Sequence, residues 1–151
     1  MPDYRRYRVA GGTYFFTVNL LERYPNDLLV RHIELLRSVV RKVREKRPFH
    51  IDAWVILPDH LHCVWTLPPG DDDFTNRWRL IKQGFSKGLP MTERRSAVRI
   101  ARGERAIWQR RFWEHVIRND REDNYDQDKT YYPRRMAHGR VVLERQWHGV
   151  L

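Results

Sequence analysis

Two runs rich in β-branched and aromatic residues, FHIDAWVIL at 49–57 and HLHCVWTL at 60–67, are separated by nothing but Pro58-Asp59. Strands joined across so short a break can pair only antiparallel, because a parallel crossover needs roughly a dozen residues or more. The rest of the chain must be arranged around that hairpin.

Upstream, Gly11-Gly12 leads into TYFFTVNLL at 13–21, which reads as a first strand. Both of its faces look apolar, so it is expected inside the sheet. Pro25-Asn26-Asp27 offers a turn and an N-cap. Leu29, Ile33, Leu36, Val40 and Val43 then recur every three or four residues. The spacing predicts one long amphipathic helix with Arg37, Arg41, Arg44 and Lys46 outside, ended by Pro48. Beyond the hairpin, Pro68-Pro69-Gly70 and three aspartates form a loop in which Asp73 caps a second amphipathic helix. Its stripe is Phe74, Trp78, Ile81 and Phe85, and it stops near Gly88.

Residues 90–105 read as an Arg-rich connector of weak helical character, and AIWQRRFWEHVIR at 106–118 as a fourth strand. Alternation there puts Phe112, Glu114 and Val116 on one side and Trp113, His115 and Ile117 on the other. A polar helical stretch over 119–132, capped by Asp120, runs up to Pro133. The order strand, helix, strand, strand, helix, strand is that of an α+β, ferredoxin-like antiparallel sheet with helices packed on it. With 151 residues and no internal repeat, the chain is expected to be a single domain: a basic arm at 1–10, a core at 11–118 and a tail region at 119–151.

The 29 Lys+Arg against 19 Asp+Glu leave a formal net charge of +10, which points to nucleic acid as partner. Arginine dominates that excess, and the planar guanidinium suits bidentate phosphate contacts. The arm residues Arg5, Arg6 and Arg8 and the pair Arg110-Arg111 are assigned to phosphate contact. Six Trp, seven Tyr and six Phe add surfaces on which unpaired bases could stack, although most belong to the core. Cys63 is the single cysteine, which excludes an internal disulfide and fits a reducing cytoplasm. MPDYRRYRV lacks the apolar segment of a signal peptide, and no apolar run approaches membrane-spanning length. A cytoplasmic, nucleoid-associated protein without a membrane partner is expected.

His60 and His62 sit one residue apart in an apolar strand, so their side chains project to one face while Leu61 and Cys63 point to the other. Two imidazoles about 7 Å apart along a strand can converge on one ion. With no cysteine pair and no His-Glu-x-x-His, a structural zinc site is poorly supported. A divalent ion with open positions, Mg²⁺ or Mn²⁺, would polarise a phosphoryl oxygen, and a basic chain around it suggests phosphodiester chemistry. His115 reads first as a structural hydrogen-bonder, Asp59 as a turn residue and Cys63 as core.

YRRYRVAGGTYFFTVNL, WVILPDHLHCVWTLP, IKQGFSKGL and IWQRRFWEHVIR, in that order, resemble the REP-associated tyrosine transposases, members of the HUH single-tyrosine (IS200-like) transposases. The match covers about residues 4–118, and HGRVVLERQW extends it to Trp147. The resemblance implies an endonuclease and strand-transferase acting on single-stranded or hairpin DNA. His60 and His62 would hold the divalent metal, and a tyrosine on a C-terminal helix would attack the scissile phosphate, leaving a 5′-phosphotyrosine and a free 3′-OH.

The family pattern of Tyr, three residues, Asn-Pro and a following His-Gly is not met by NYDQDKTYYPRRMAHG. Counting back from His138-Gly139 gives Thr130, and aligning on Pro133 gives Asp128. Tyr131 is taken as the nucleophile, with Tyr125 and Tyr132 as alternatives. Gln127, or alternatively Asp128, is taken as the third metal ligand, since both would share the helical face of Tyr131. Two other functions compete: a catalytically inactive DNA-binding relative of the same fold, and an RNA-binding ferredoxin-like domain. Monomer and homodimer both stay open.

Overall fold

The computed structural model describes residues 6–23, 25–91 and 95–117, together with the backbone of 142–144. β1 (Thr13–Asn19) is followed by α1 (Leu28–Arg31), α2 (Ile33–Lys46), β2 (His50–Ile56) and β3 (His60–Thr66). After them come α3 (Phe74–Gly88), α4 (Ala97–Ala101), β4 (Trp113–Ile117) and β5 (Val142–Glu144). The strands form one antiparallel sheet in the order β4-β1-β3-β2-β5, so β1 lies in the interior as its composition suggested.

The hairpin between β2 and β3 is closed by the Leu57 N–H donating to the His60 carbonyl at 2.9 Å, with Pro58 and Asp59 as its two turn residues. Cross-strand partners share a face, so the register sorts the sheet into two sides. Tyr14, Phe16 and Val18 of β1, Leu61, Cys63 and Trp65 of β3, and Ile51, Trp54 and Ile56 of β2 are buried against the helices. The helices contribute Leu36, Val39, Val40 and Val43 from α2 and Phe74, Trp78, Ile81 and Phe85 from α3. Trp65 and Trp78 stack across this layer with ring centroids 4.4 Å apart. α2 and α3 approach closely because Gly84 faces Val39: a Cβ there would lie 2.7 Å from Val39 Cγ1.

Asp73 caps α3 as its position suggested, accepting from the Asn76 N–H at 3.1 Å. The long helix read from 29 to 43 is instead two pieces broken at His32. The first turn is drawn onto the hairpin, where the Leu29 N–H donates to the Pro58 carbonyl at 3.3 Å. Asp27 makes no capping bond with its side chain; Asn26 Oδ1 accepts from the Leu28 N–H instead.

The fourth strand is shorter than the alternation from 106 implied. Ala106, Ile107 and Trp108 are buried, but only a Leu20–Trp108 bridge touches the sheet before Trp113. The Trp108 ring instead packs edge-on to Phe85 of α3, and its Nε1–H donates to the Lys82 carbonyl. The connector contains α4, and β5 adds an edge strand beside β2 that the sequence reading did not include.

Candidate functional site

Helices cover one side of the sheet; the other side carries the histidines. His60, His62, Val64 and Thr66 of β3 stand beside Asn19, Thr17, Phe15 and Thr13 of β1, each pair in direct register. The neighbouring β4 adds Trp113 opposite Thr17, His115 opposite Phe15 and Ile117 opposite Thr13. This face of β1 is therefore a mixture of threonines, Phe15 and Asn19 rather than a second apolar face. Leu61 and Cys63 point into the core, as strand periodicity requires, and burial pushes the Cys63 thiol well up.

The two imidazoles meet edge to face with centroids 5.1 Å apart. Each is held through Nδ1. His62 Nδ1 lies 2.8 Å from Thr17 Oγ1, and His60 Nδ1 lies 2.6 Å from Asp59 Oδ1. Asp59 is itself fixed by Arg23, whose Nε donates to Oδ2 at 3.0 Å. Burial alone would raise the Asp59 carboxyl, but the hydrogen bonds from His60 and Arg23 outweigh it and hold it below the usual carboxylate range. Burial first, then the fields of His60 and Arg23, push the His62 imidazole down to about 4, so it is neutral at neutral pH.

When each Nδ1–H donates to its oxygen partner, Nε2 of both rings presents a lone pair, which is the arrangement in which imidazoles ligate metals. Beside them Asn19 Oδ1, sealed from solvent directly across from His60, makes no hydrogen bond among the described residues and could be satisfied by a cation or a donor. The donor set therefore fits a divalent ion. Among the described residues no group of three or more His, Cys, Asp or Glu is arranged so that it could hold a metal ion, so the hairpin would supply two imidazoles and other donors the remaining positions. An ion of this kind commonly keeps several waters and takes substrate phosphates.

Asp59 is the turn residue that its place after Pro58 suggested, and it also orients His60, a role the turn reading did not include. Its signal was adjacency to His60 in a hairpin too tight to let its side chain wander. Asn19 was missed as well, and becomes visible only through the β1–β3 register. His115 does lie on the site face, stacked parallel to Trp113 with centroids 5.8 Å apart. Glu114 faces the other way and is buried, with Arg6 Nε 3.8 Å from its Oε1.

That contact bears on the basic arm. Arg6 is turned inward, its guanidinium 4.2 Å over the Phe112 ring. Arg8 stays exposed, beside Asp72 and donating to Thr75 Oγ1. Arg110 is exposed and paired with both oxygens of Glu104, and Arg111 is exposed. Arg5, Tyr125, Gln127, Asp128, Tyr131 and Tyr132 lie outside the described residues.

An antiparallel ferredoxin-like sheet with a His-hydrophobe-His pair on the face that the described helices leave open defines a transposase fold of the IS200-like class. In agreement, a putative transposase from Deinococcus radiodurans R1 shares the fold with a TM-score of 0.50 at 13% identity, over 84% of this chain and 94% of that one. No protein-family model matches the chain. It is 46% identical over 147 residues to the REP-associated tyrosine transposase of Escherichia coli K12, covering 97% of this chain and 80% of that protein. It is also 38% identical to a putative REP-associated tyrosine transposase of Haemophilus influenzae, over 97% and 83%. A solved REP-associated tyrosine transposase bound to a REP hairpin superimposes with a TM-score of 0.68 at 48% identity, over 83% of this chain and 68% of that one. The chain belongs to the REP-associated tyrosine transposases. No helix among the described residues is long and apolar enough to cross a membrane.

Proposed function

We propose that this transposase acts as one domain over 1–151, nicking and rejoining single-stranded or hairpin DNA of the REP type through a 5′-phosphotyrosine. The observation that carries the reading is the pair of imidazoles on one face of β3, each oriented through Nδ1 by Thr17 or Asp59. The hairpin bound by the related transposase supports the choice of substrate.

In this reading His60 and His62 hold Mg²⁺ or Mn²⁺, with Gln127 or Asp128 as third protein ligand. When bound, the ion neutralises charge developing on the scissile phosphate. The imidazole donors favour Mn²⁺ over Mg²⁺ in affinity. Tyr131, or else Tyr125 or Tyr132, forms the O–P bond to the 5′ side as the P–O3′ bond breaks, and the 3′ oxygen departs with a proton. Conservation of the phosphoester bond energy in that link permits rejoining. Arg5, Arg8 and Arg111 serve the phosphate backbone, with Arg110 joining if DNA displaces Glu104; Arg6 contributes through the Phe112 stack. The protein works in the cytoplasm on the nucleoid, as monomer or homodimer.

The test is incubation with labelled hairpin DNA from beside its own gene, in Mn²⁺ or EDTA, followed by denaturing electrophoresis and peptide mapping by mass spectrometry. A metal-dependent adduct on Tyr131, lost in His60→Ala and His62→Ala with the fold intact, is expected. Tight binding with neither nick nor adduct would instead make the chain an inactive DNA-binding relative, which the departure of residues 124–139 from the family's tyrosine pattern would then explain.

A further inference from the structure

Trp113 is 46% exposed, whereas Trp54, Trp65, Trp78 and Trp108 are each at most 7% exposed. Leaving a tryptophan in water forgoes the burial that its ring offers, so an exposed one on a sheet face asks for a ligand. Trp113 does not stand alone. Its ring lies parallel to His115, 5° off coplanar with centroids 5.8 Å apart, and edge-on to Phe15 at 5.8 Å. Phe15 in turn stacks on His62, with centroids 5.6 Å apart and planes at 18°. An unbroken aromatic path thus runs from the histidine pair on β3, across β1, to the outer strand β4.

We propose that this surface is a stacking platform on which Trp113 holds an unpaired nucleotide of the DNA beside the bond to be cut. The proposal rests on the reading of the chain as a hairpin-DNA transposase. An exposed tryptophan at the end of an aromatic path, on a chain of net charge +10, matches a ligand that is a π-face carried on an anionic backbone. Paired bases inside a stem have no free face to offer, which selects single-stranded DNA. β4 is two strand spacings from β3, roughly 10 Å. A stacked strand rises about 3.4 Å per nucleotide, so the held base lies within about three nucleotides of a phosphate at His60 and His62. Trp113 is accordingly a positioning residue: it fixes which phosphate reaches the histidines.

Binding is measured in EDTA at fixed salt, using the hairpin from beside its own gene made either with single-stranded flanks or as a blunt stem. Trp113→Ala is expected to weaken the flanked hairpin about tenfold and leave the blunt stem unchanged, with Trp113→Phe restoring most of the loss. In the wild type, an abasic substitution at one flank position within about three nucleotides of the cut should cost the same factor, and in Trp113→Ala it should cost nothing further. Cleavage by Trp113→Ala in Mn²⁺ should spread to neighbouring phosphates. Wild-type protein that binds and cuts the flanked hairpin while Trp113→Ala matches it in affinity and cut position would overturn the platform alone. Wild-type protein that binds neither DNA would overturn the transposase reading and the platform with it.

Discussion

Thr17 Oγ1 stands 2.8 Å from His62 Nδ1 across the β1–β3 ladder, and the threonine is itself only 7% exposed. A β-branched residue with one rotamer-limited hydroxyl is a stiff stop for the imidazole, fixing which nitrogen faces the site. Thr17→Val keeps the shape and removes the oxygen. We expect Mn²⁺ affinity, followed by titration calorimetry, to drop between about 10-fold and 100-fold while the melting temperature barely moves. An affinity equal to wild type would mean that the ring is oriented by packing alone.

Asp59 holds the other ring. Asp59→Asn leaves the hairpin turn intact but exchanges a charge-assisted partner of His60 for a neutral one and releases Arg23. Mn²⁺ affinity should again fall about tenfold or more. Because Arg23 and Asp59 are both partly exposed, the stability cost should stay near 1 kcal/mol or below. Loss of stability without loss of metal affinity would assign Asp59 to the turn alone.

On the helix side, Arg77 is 2% exposed and is satisfied by both oxygens of Asp71, at 3.2 and 2.6 Å, and by the carbonyls of Arg47, Pro48 and Asp73. The Arg77 hydrogen bond holds the Asp71 carboxyl below its ordinary range, against a smaller opposing effect of burial. A depressed carboxylate contributes stability that is present above its unfolded value and lost as pH falls through its folded value. Asp71→Asn should therefore cost about 1–2 kcal/mol at neutral pH, discounted because the carboxylate is a third exposed. That difference should shrink below about pH 4. Denaturant midpoints of the two proteins across pH 3 to 7 check both the size and the direction, and parallel curves would remove Asp71 from the acid sensitivity.

The faces of the sheet were legible because strand periodicity is strict: His60 and His62 outward, Leu61 and Cys63 inward, Trp113 and His115 on the side opposite Glu114. Helix stripes were legible for the same reason. What the pattern could not carry was the partner each charged or irregular residue finds. Arg6 looked like a free phosphate ligand, yet Glu114 and Phe112, more than a hundred positions away, draw it inward. The break at His32 depends on the Pro58 carbonyl, and the early part of 106–118 leaves the sheet because Trp108 has a better place against Phe85. Both are decided by contacts between distant segments, which local spacing does not encode.

Gly84 and Gly88 share one face of α3, but they should respond differently to alanine. At Gly84 the new methyl would lie 2.7 Å from Cγ1 of Val39, a stiff branched side chain in the core. Overpacking of about 1–3 kcal/mol should exceed the gain of about 1 kcal/mol in helix propensity, so Gly84→Ala destabilises. At Gly88 the nearest atoms are Leu35 Cδ1 and Cδ2, at 2.6 and 2.8 Å, the far end of a flexible side chain that is only partly buried. Gly88→Ala should be close to neutral. Equal melting temperatures for the two variants would contradict the close helix approach at Val39.

Lys82 gives a second pH signature, at the alkaline end. Its Nζ donates to the Gln109 carbonyl at 2.9 Å and lies 5.3 Å from the centroid of the Phe112 ring that Arg6 also covers. Burial first, and then the charge of Arg6, lower its pKa from 10.5 to about 8. Between those values the unfolded chain binds more protons than the folded one, so stability contributed through Lys82 rises with pH across that window. The interval sets a ceiling of about 3 kcal/mol. Lys82→Met fills the same space without a charge to desolvate and cancels every other titration common to both proteins. Wild type should therefore gain stability relative to Lys82→Met as pH rises from 8 toward 10.5, read as diverging denaturant midpoints. A constant difference would mean that the ammonium is solvated as fully in the folded protein as in the unfolded chain.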